Sequence, residues 1–236
     1  MENYNQQGYY QTPDVAFATN VSKAMRSVYL KMFLALLVTA ATSAVVLAQK
    51  SFLIYMFQNQ WVYWGLLIAE IALVFSVSAR INKISTTTAN LLFYAYSILN
   101  GIVLSVIFMI YTTGSIAQTF FITAGVFGAM SAYGYFTKSD LTKFGSFLTM
   151  ALIGLVICIV VNMFLASSTL DWIISFAGVA IFIGLTAWDT QKIKTMMAYS
   201  DGSNIGKIAT IGALSLYLDF INLFLYLLRF FGASRD

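Results

Sequence analysis

LSLYLDFINLFLYLLRFF, residues Leu214–Phe231, is apolar enough for lipid yet carries Asp219 near its middle. At 100° per residue, Gly212, Ser215, Asp219, Asn222, Tyr226 and Arg229 fall on one stripe of a helix. The positions off that stripe are Leu, Ile, Phe or Tyr. A helix bathed in lipid on every side has no use for such a polar seam. A charged side chain at mid-bilayer costs roughly 3 kcal/mol even on insertion scales, so Asp219 must face protein or a water-filled cavity. The stretch therefore predicts a helix inside a bundle, with other spans supplying what Asp219 needs.

The rest of the chain agrees. Of 236 residues, 60% are hydrophobic and only 9% charged, against about 25% charged in soluble domains. That gap predicts an all-α polytopic membrane protein whose immediate partner is the lipid bilayer. The net charge of +4 is spread between apolar runs as an orientation signal, so no nucleic-acid surface is expected. There is no histidine and a single cysteine, Cys158, inside an apolar run. Imidazole metal sites and histidine-based triads are excluded, and no nucleophile–base spacing supports a hydrolase, so no enzymatic activity is expected. A pH response near neutrality must come from carboxylates.

Residues 1–22 are polar and carry the one proline, Pro13; they read as a disordered tail without a cleavable signal. A seven-helix transmembrane domain is expected over 23–236. Its spans fall at about 29–48, 61–80, 89–111, 115–136, 144–166, 171–190 and 208–231. The break between the third and fourth rests on Thr112, Thr113, Gly114 and Ser115 alone. Three Lys and Arg lead into the first span (Lys23, Arg26, Lys31), followed by one, two, none, two, none and three in the successive connections. That alternation places the N-terminus and the even-numbered connections in the cytoplasm. Seven crossings leave the C-terminus outside despite Arg229 and Arg235; a re-entrant last helix is the alternative, and a full crossing is preferred on length.

Function has to be argued from the ionisable residues at membrane depth: Glu70, Asp189 and Asp219, with Arg80 and Arg229 at or inside span ends. Asp189 either ends the sixth span in solvent or, if that helix continues to about Met197, lies about 12 Å below its end. Asp219 lies about 16 Å from Ile208, so the two carboxylates can meet. Two carboxylates in a poorly solvated site cannot comfortably both ionise, and a shared proton makes the pair a pH sensor and gate. Deprotonated, Asp189 and Asp219 offer hard oxygens for a weak Ca²⁺ site, Ca²⁺ being a permeant or loosely held ion and no cofactor being tightly bound. Ser215, Asn222 and Tyr226 continue the polar seam, Tyr226 also reading as packing. A structural hydrogen bond for Asp219, and a structural ion pair for Glu70, are the plainer alternatives. Glu70–Arg80 and Asp219–Arg229 are each ten residues apart, about 15 Å of helix. Antiparallel packing of these two helices would bring Arg80 to the aspartates and form an outer latch between Glu70 and Arg229.

Three motifs carry a family resemblance. LYLDFINLFLYLLRFFG (Leu216–Gly232), WDTQKI (Trp188–Ile193) and LIAEIALVFSVSARI (Leu67–Ile81) resemble those of the Bax inhibitor family, the transmembrane Bax inhibitor motif proteins. The resemblance implies seven helices with the C-terminal one central and wrapped by the other six. It also implies pH-dependent Ca²⁺ leak, associated in eukaryotes with protection from cell death. It maps a paired-aspartate sensor onto Asp189 and Asp219, and a second-span arginine onto Arg80, one residue closer to Glu70 than the pattern. The tail fits a bacterial member of the cytoplasmic membrane. A pH-gated passive calcium leak is thus expected; the alternative is a regulatory membrane protein acting on a partner such as a membrane-bound protease.

Overall fold

The computed structural model describes residues 13–80, 83–200, 202 and 204–235. The acids Glu2, Asp201 and Asp236 lie outside the described residues. Nine helices are found among them: α1 (Pro13–Ala48), α2 (Lys50–Gln58), α3 (Gln60–Arg80), α4 (Thr86–Leu104), α5 (Ile107–Ile110), α6 (Thr113–Phe136), α7 (Thr142–Leu165), α8 (Ser168–Ala198) and α9 (Ile205–Phe231). Seven segments, α4 and α5 counting as one, are long and apolar enough to cross a membrane.

Several boundaries differ from expectation. Helix α1 starts at Pro13, so the second half of the expected tail is helical; proline suits a first turn, where its missing N–H has no partner to lose. The third span is broken at Ser105–Val106, where the Ser105 hydroxyl donates to the Ile102 carbonyl (2.6 Å). The weak break after it is real: Tyr111 is extended, and Thr112 caps α6 by accepting the Ser115 N–H. Ser85 and Ser167 cap α4 and α8 in the same way.

Helix α9 is the centre: 72% of its most apolar stretch is buried, against 11% for α7. It packs on α1, α4, α6 and α8. The expected wrap by six helices becomes a wrap by four, since α3 packs chiefly on α4 and α7 chiefly on α8. Small residues set the close approaches, because helices in lipid associate by packing rather than by exclusion of water. A Cβ on Gly134 would run into the Ala187 carbonyl, so α6 lies backbone-close on α8.

Helix α9 is one unbroken helix of 27 residues, about 40 Å long, which leaves no re-entrant turn. Beyond it the chain folds onto the α5–α6 connection. The Thr112 N–H donates to the Ala233 carbonyl (3.0 Å) and the Arg235 N–H to the Ile110 carbonyl (2.9 Å). The Arg235 guanidinium also donates to the Phe108 carbonyl (3.0 Å). The C-terminus and the third connection thus share one end of the bundle, the end that charge counting assigns to the outside. A reporter fused after Asp236 is expected to be extracytoplasmic and one in the 200–204 connection cytoplasmic; both on one side would overturn this topology. Gly134→Val is expected to lower thermal stability by about 2 kcal/mol or more through overpacking against backbone, read as a loss of melting temperature in detergent.

Candidate functional site

The polar seam of α9 lies along α8, and the two helices run antiparallel. Gly212 sits against Ile193, and the Tyr226 ring occupies the space that a Cβ at Gly178 would take, at 2.7 Å. Tyr226 also stacks on Phe182 (5.9 Å between centroids). This register brings Asp219 to the level of the turn that ends at Asp189. Helix α8 continues to Ala198, so Asp189 lies well inside it and is not a solvated helix end.

Asp219 is 5% exposed. Its Oδ2 is buried without a hydrogen-bond partner among the described residues. Its strongest charged neighbours are Asp189 and then Lys192; Asp189 in turn is influenced by Lys192. The cation beside the aspartates is therefore Lys192, one turn along α8, with its ammonium 4.6 Å from the Trp188 ring centre. Arg80 ends α3 exposed, without an ion pair among the described residues. The expectation that Arg80 holds the pair is corrected: α3 packs on α4, a layer away from α8. Of the other seam residues, Asn222 donates to its own helix at the Leu218 carbonyl (2.8 Å), and Ser215 is half-buried. Among the described residues no group of three or more acids or cysteines could hold a metal, which leaves the aspartate pair as a two-carboxylate donor set.

Next to Asp189, toward the end of α8, lies a polar pocket of about 590 Å³ lined by Trp188, Gln191, Lys192, Lys194 and the 137–142 segment. Gln191 fastens that segment to α8, accepting the Leu141 N–H (2.9 Å) and donating to the Ser139 carbonyl (2.8 Å). Hydrogen bonds from the Thr142 side chain and backbone hold Asp140 below the usual carboxylate range, keeping a fixed negative charge at the pocket's edge.

The expected outer latch is not made. Arg229 donates instead to Asp171 Oδ1 (2.7 Å) and Ser175 Oγ (3.1 Å), both on α8. Glu70, 8% exposed, accepts from the Asn100 amide (3.1 Å) on α4. Asn100 accepts in turn from the Tyr217 hydroxyl (3.0 Å), which lies 2.7 Å from Thr39 Oγ1. Tyr217 is two residues from Asp219, about 200° around the helix, so Glu70 is tied to the opposite face of α9. Equal spacing along α3 and α9 was a coincidence of sequence, since α9 pairs with α8.

The family described as "Inhibitor of apoptosis-promoting Bax1" matches residues 21–236, all of the chain after its first twenty positions. The chain belongs to the Bax inhibitor family. It is 49% identical over 214 residues to the inner membrane protein YbhL of Escherichia coli, covering 89% of this chain and 92% of YbhL. An uncharacterized protein of Borreliella burgdorferi is 46% identical, covering 91% and 94%. The uncharacterized protein RP147 of Rickettsia prowazekii is 44% identical, covering 93% of each chain.

Within this Bax inhibitor chain, sequence reasoning missed Lys192, one of the three cations of the sixth connection counted only as an orientation signal, and Asp171, the first residue of the sixth expected span. A helical wheel extended through Lys192 would have put it one turn from Asp189. Because Arg229 and Asp171 are both about half exposed (44% and 53%), their coupling is expected to stay below about 1 kcal/mol. A double-mutant cycle of Asp171→Asn with Arg229→Gln, read by denaturation in mixed micelles, should be non-additive, and Glu70→Gln with Arg229→Gln additive. Coupling in the second cycle and none in the first would reverse the assignment.

Proposed function

We propose that this Bax inhibitor protein is a passive, pH-gated leak pathway for Ca²⁺ in a bacterial cytoplasmic membrane, with Asp189 and Asp219 as its proton-sharing gate. The E. coli relative is an inner membrane protein by name, and we extend that location, with the N-terminus in the cytoplasm, to this chain. One observation carries the reading: a carboxylate oxygen of Asp219 is buried at the centre of the bundle with no hydrogen-bond partner, and its strongest charged neighbour is a second carboxylate.

A carboxylate is an acceptor only, whereas a protonated carboxyl is also a donor. With one proton between them, Asp189 and Asp219 can bond to each other and hold α8 against α9. With no proton, two like charges in low dielectric repel, which favours either separation of the helices or a cation between them. Protons thus close the pathway and Ca²⁺ competes with them for the same oxygens. Two carboxylates without a third acid suit transient binding of a hard cation better than its capture. Lys192 limits the gate by partly compensating the pair.

The test is Ca²⁺ flux into dye-loaded vesicles holding the purified protein. Leak is expected to rise with pH between about 6 and 8. Asp219→Asn and Asp189→Asn should each flatten that profile, because Asn keeps the shape and a donor but cannot titrate. An unchanged profile in both variants, or no leak above protein-free vesicles at any pH, would sink the reading.

A further inference from the structure

Helices α1 and α6 each pack on α8 and α9. Between them a groove of about 590 Å³ opens to the bilayer. Its α1 wall is Ser22, Met25, Arg26 and Tyr29; its α6 wall includes Gly128, Ser131 and Tyr135. From Ser22 to Tyr29 it descends about 10 Å along α1, and at its deep end the Phe127 ring packs edge-on to Phe220 (5.4 Å). A Cβ at Gly128 would meet nothing within 4 Å, so the α6 wall is open there rather than filled by a neighbour.

The charge on this groove is one-sided. Among the described residues no acidic one lines it. Arg26 is exposed at its mouth and makes no ion pair among the described residues. Behind the α6 wall, Lys194 of α8, which lines the polar pocket described above, donates to the Tyr135 carbonyl (2.7 Å) and sits 4.8 Å from the Tyr135 ring centre. Both cations lie at the end of the bundle that charge counting assigns to the cytoplasm. A cleft between spans with a basic mouth, aromatic walls at headgroup depth and an apolar deep end has the chemistry of a site for an anionic lipid. We propose that the α1–α6 groove holds one anionic phospholipid of the cytoplasmic leaflet, its phosphate on Arg26 and an acyl chain laid along α6 over Gly128. Uncharged or zwitterionic lipid offers Arg26 no net charge to pair with and is the weaker ligand. Bound there, the lipid touches Ser131, which accepts from the Thr190 hydroxyl (3.3 Å) beside Asp189. Occupancy therefore supports the α6–α8 contact next to the aspartates, whether or not the protein conducts ions.

Native mass spectrometry of the full chain in detergent, titrated with phosphatidylglycerol or with phosphatidylcholine, tests the site. Phosphatidylglycerol adducts are expected to dominate in the unaltered protein. Arg26→Gln should lower them about fivefold, and Arg26→Lys should largely retain them. Gly128→Leu, which fills the groove from its open side, should lower adducts of both lipids, whereas Gly65→Leu, equally unobstructed on α3, should not. Melting temperatures in lipid-free detergent identify any variant that fails to fold, and the Gln and Lys replacements of exposed Arg26 keep the test decisive if Gly128→Leu is one. Equal adducts of the two lipids, or phosphatidylglycerol adducts indifferent to Arg26→Gln, would overturn the proposal.

Discussion

A buried carboxylate oxygen with no hydrogen-bond partner among the described residues, at the centre of a lipid-solvated bundle, is the constraint on which the rest depends. Asp219 cannot face hydrocarbon, so α9 must be enclosed, and enclosure by α1, α4, α6 and α8 is what the packing shows. The small residues follow from the same demand. Gly178 admits the Tyr226 ring, and Gly134 lets α6 approach the backbone of α8. Without these contacts the α8–α9 seam could not be held closely enough for Asp189 to be the strongest charged neighbour of Asp219.

Other buried polar side chains in the bundle show why Asp219 differs from them. Thr119, Thr123 and Thr186 each donate to the carbonyl four residues back in their own helix. Ser175 and Asn222 do the same. A hydroxyl or amide can satisfy its donor locally and so tolerates burial wherever the helix puts it. An ionised carboxylate has no hydrogen to give, and no backbone N–H inside a helix is free to be received. Glu70 meets this problem with Asn100, which relays through Tyr217 to Thr39. Asp219 has no such donor, and what remains open to it is a proton, a cation or water.

These two acids also divide what was legible in the sequence from what was not. Hydropathy was sufficient for seven spans. The α9 seam, read at 100° per residue, was sufficient for a buried Asp219, because which face of one helix is polar is a local, periodic property. Which distant helices touch is not a periodic property. The Glu70–Arg229 latch and the Arg80 contact required α3 to lie on α9; it lies on α4, with Asn100 as partner. Asp171 was passed over because a residue at a helix start reads as solvent-exposed. The hairpin between α8 and α9 brings that start back to the end of α9, where Arg229 waits.

The hairpin makes the two ends of the seam unlike each other. Toward the basic end, the pair is followed along α8 by a polar pocket, with Gln191 as the tie between its rim and the helix. Toward the opposite end the seam is closed by packing: Tyr226 fills the notch at Gly178, stacks on Phe182, and is followed by the half-exposed Arg229–Asp171 pair. The C-terminal segment then ties α9 to the α5–α6 connection through backbone hydrogen bonds. A half-exposed ion pair contributes little to stability, whereas an aromatic ring seated in a glycine notch forfeits many close contacts when it leaves. The resistance to parting α8 from α9 on that side therefore resides in Tyr226 and its socket, and charge repulsion at the aspartates acts on a seam whose weaker half is the one beside the polar pocket.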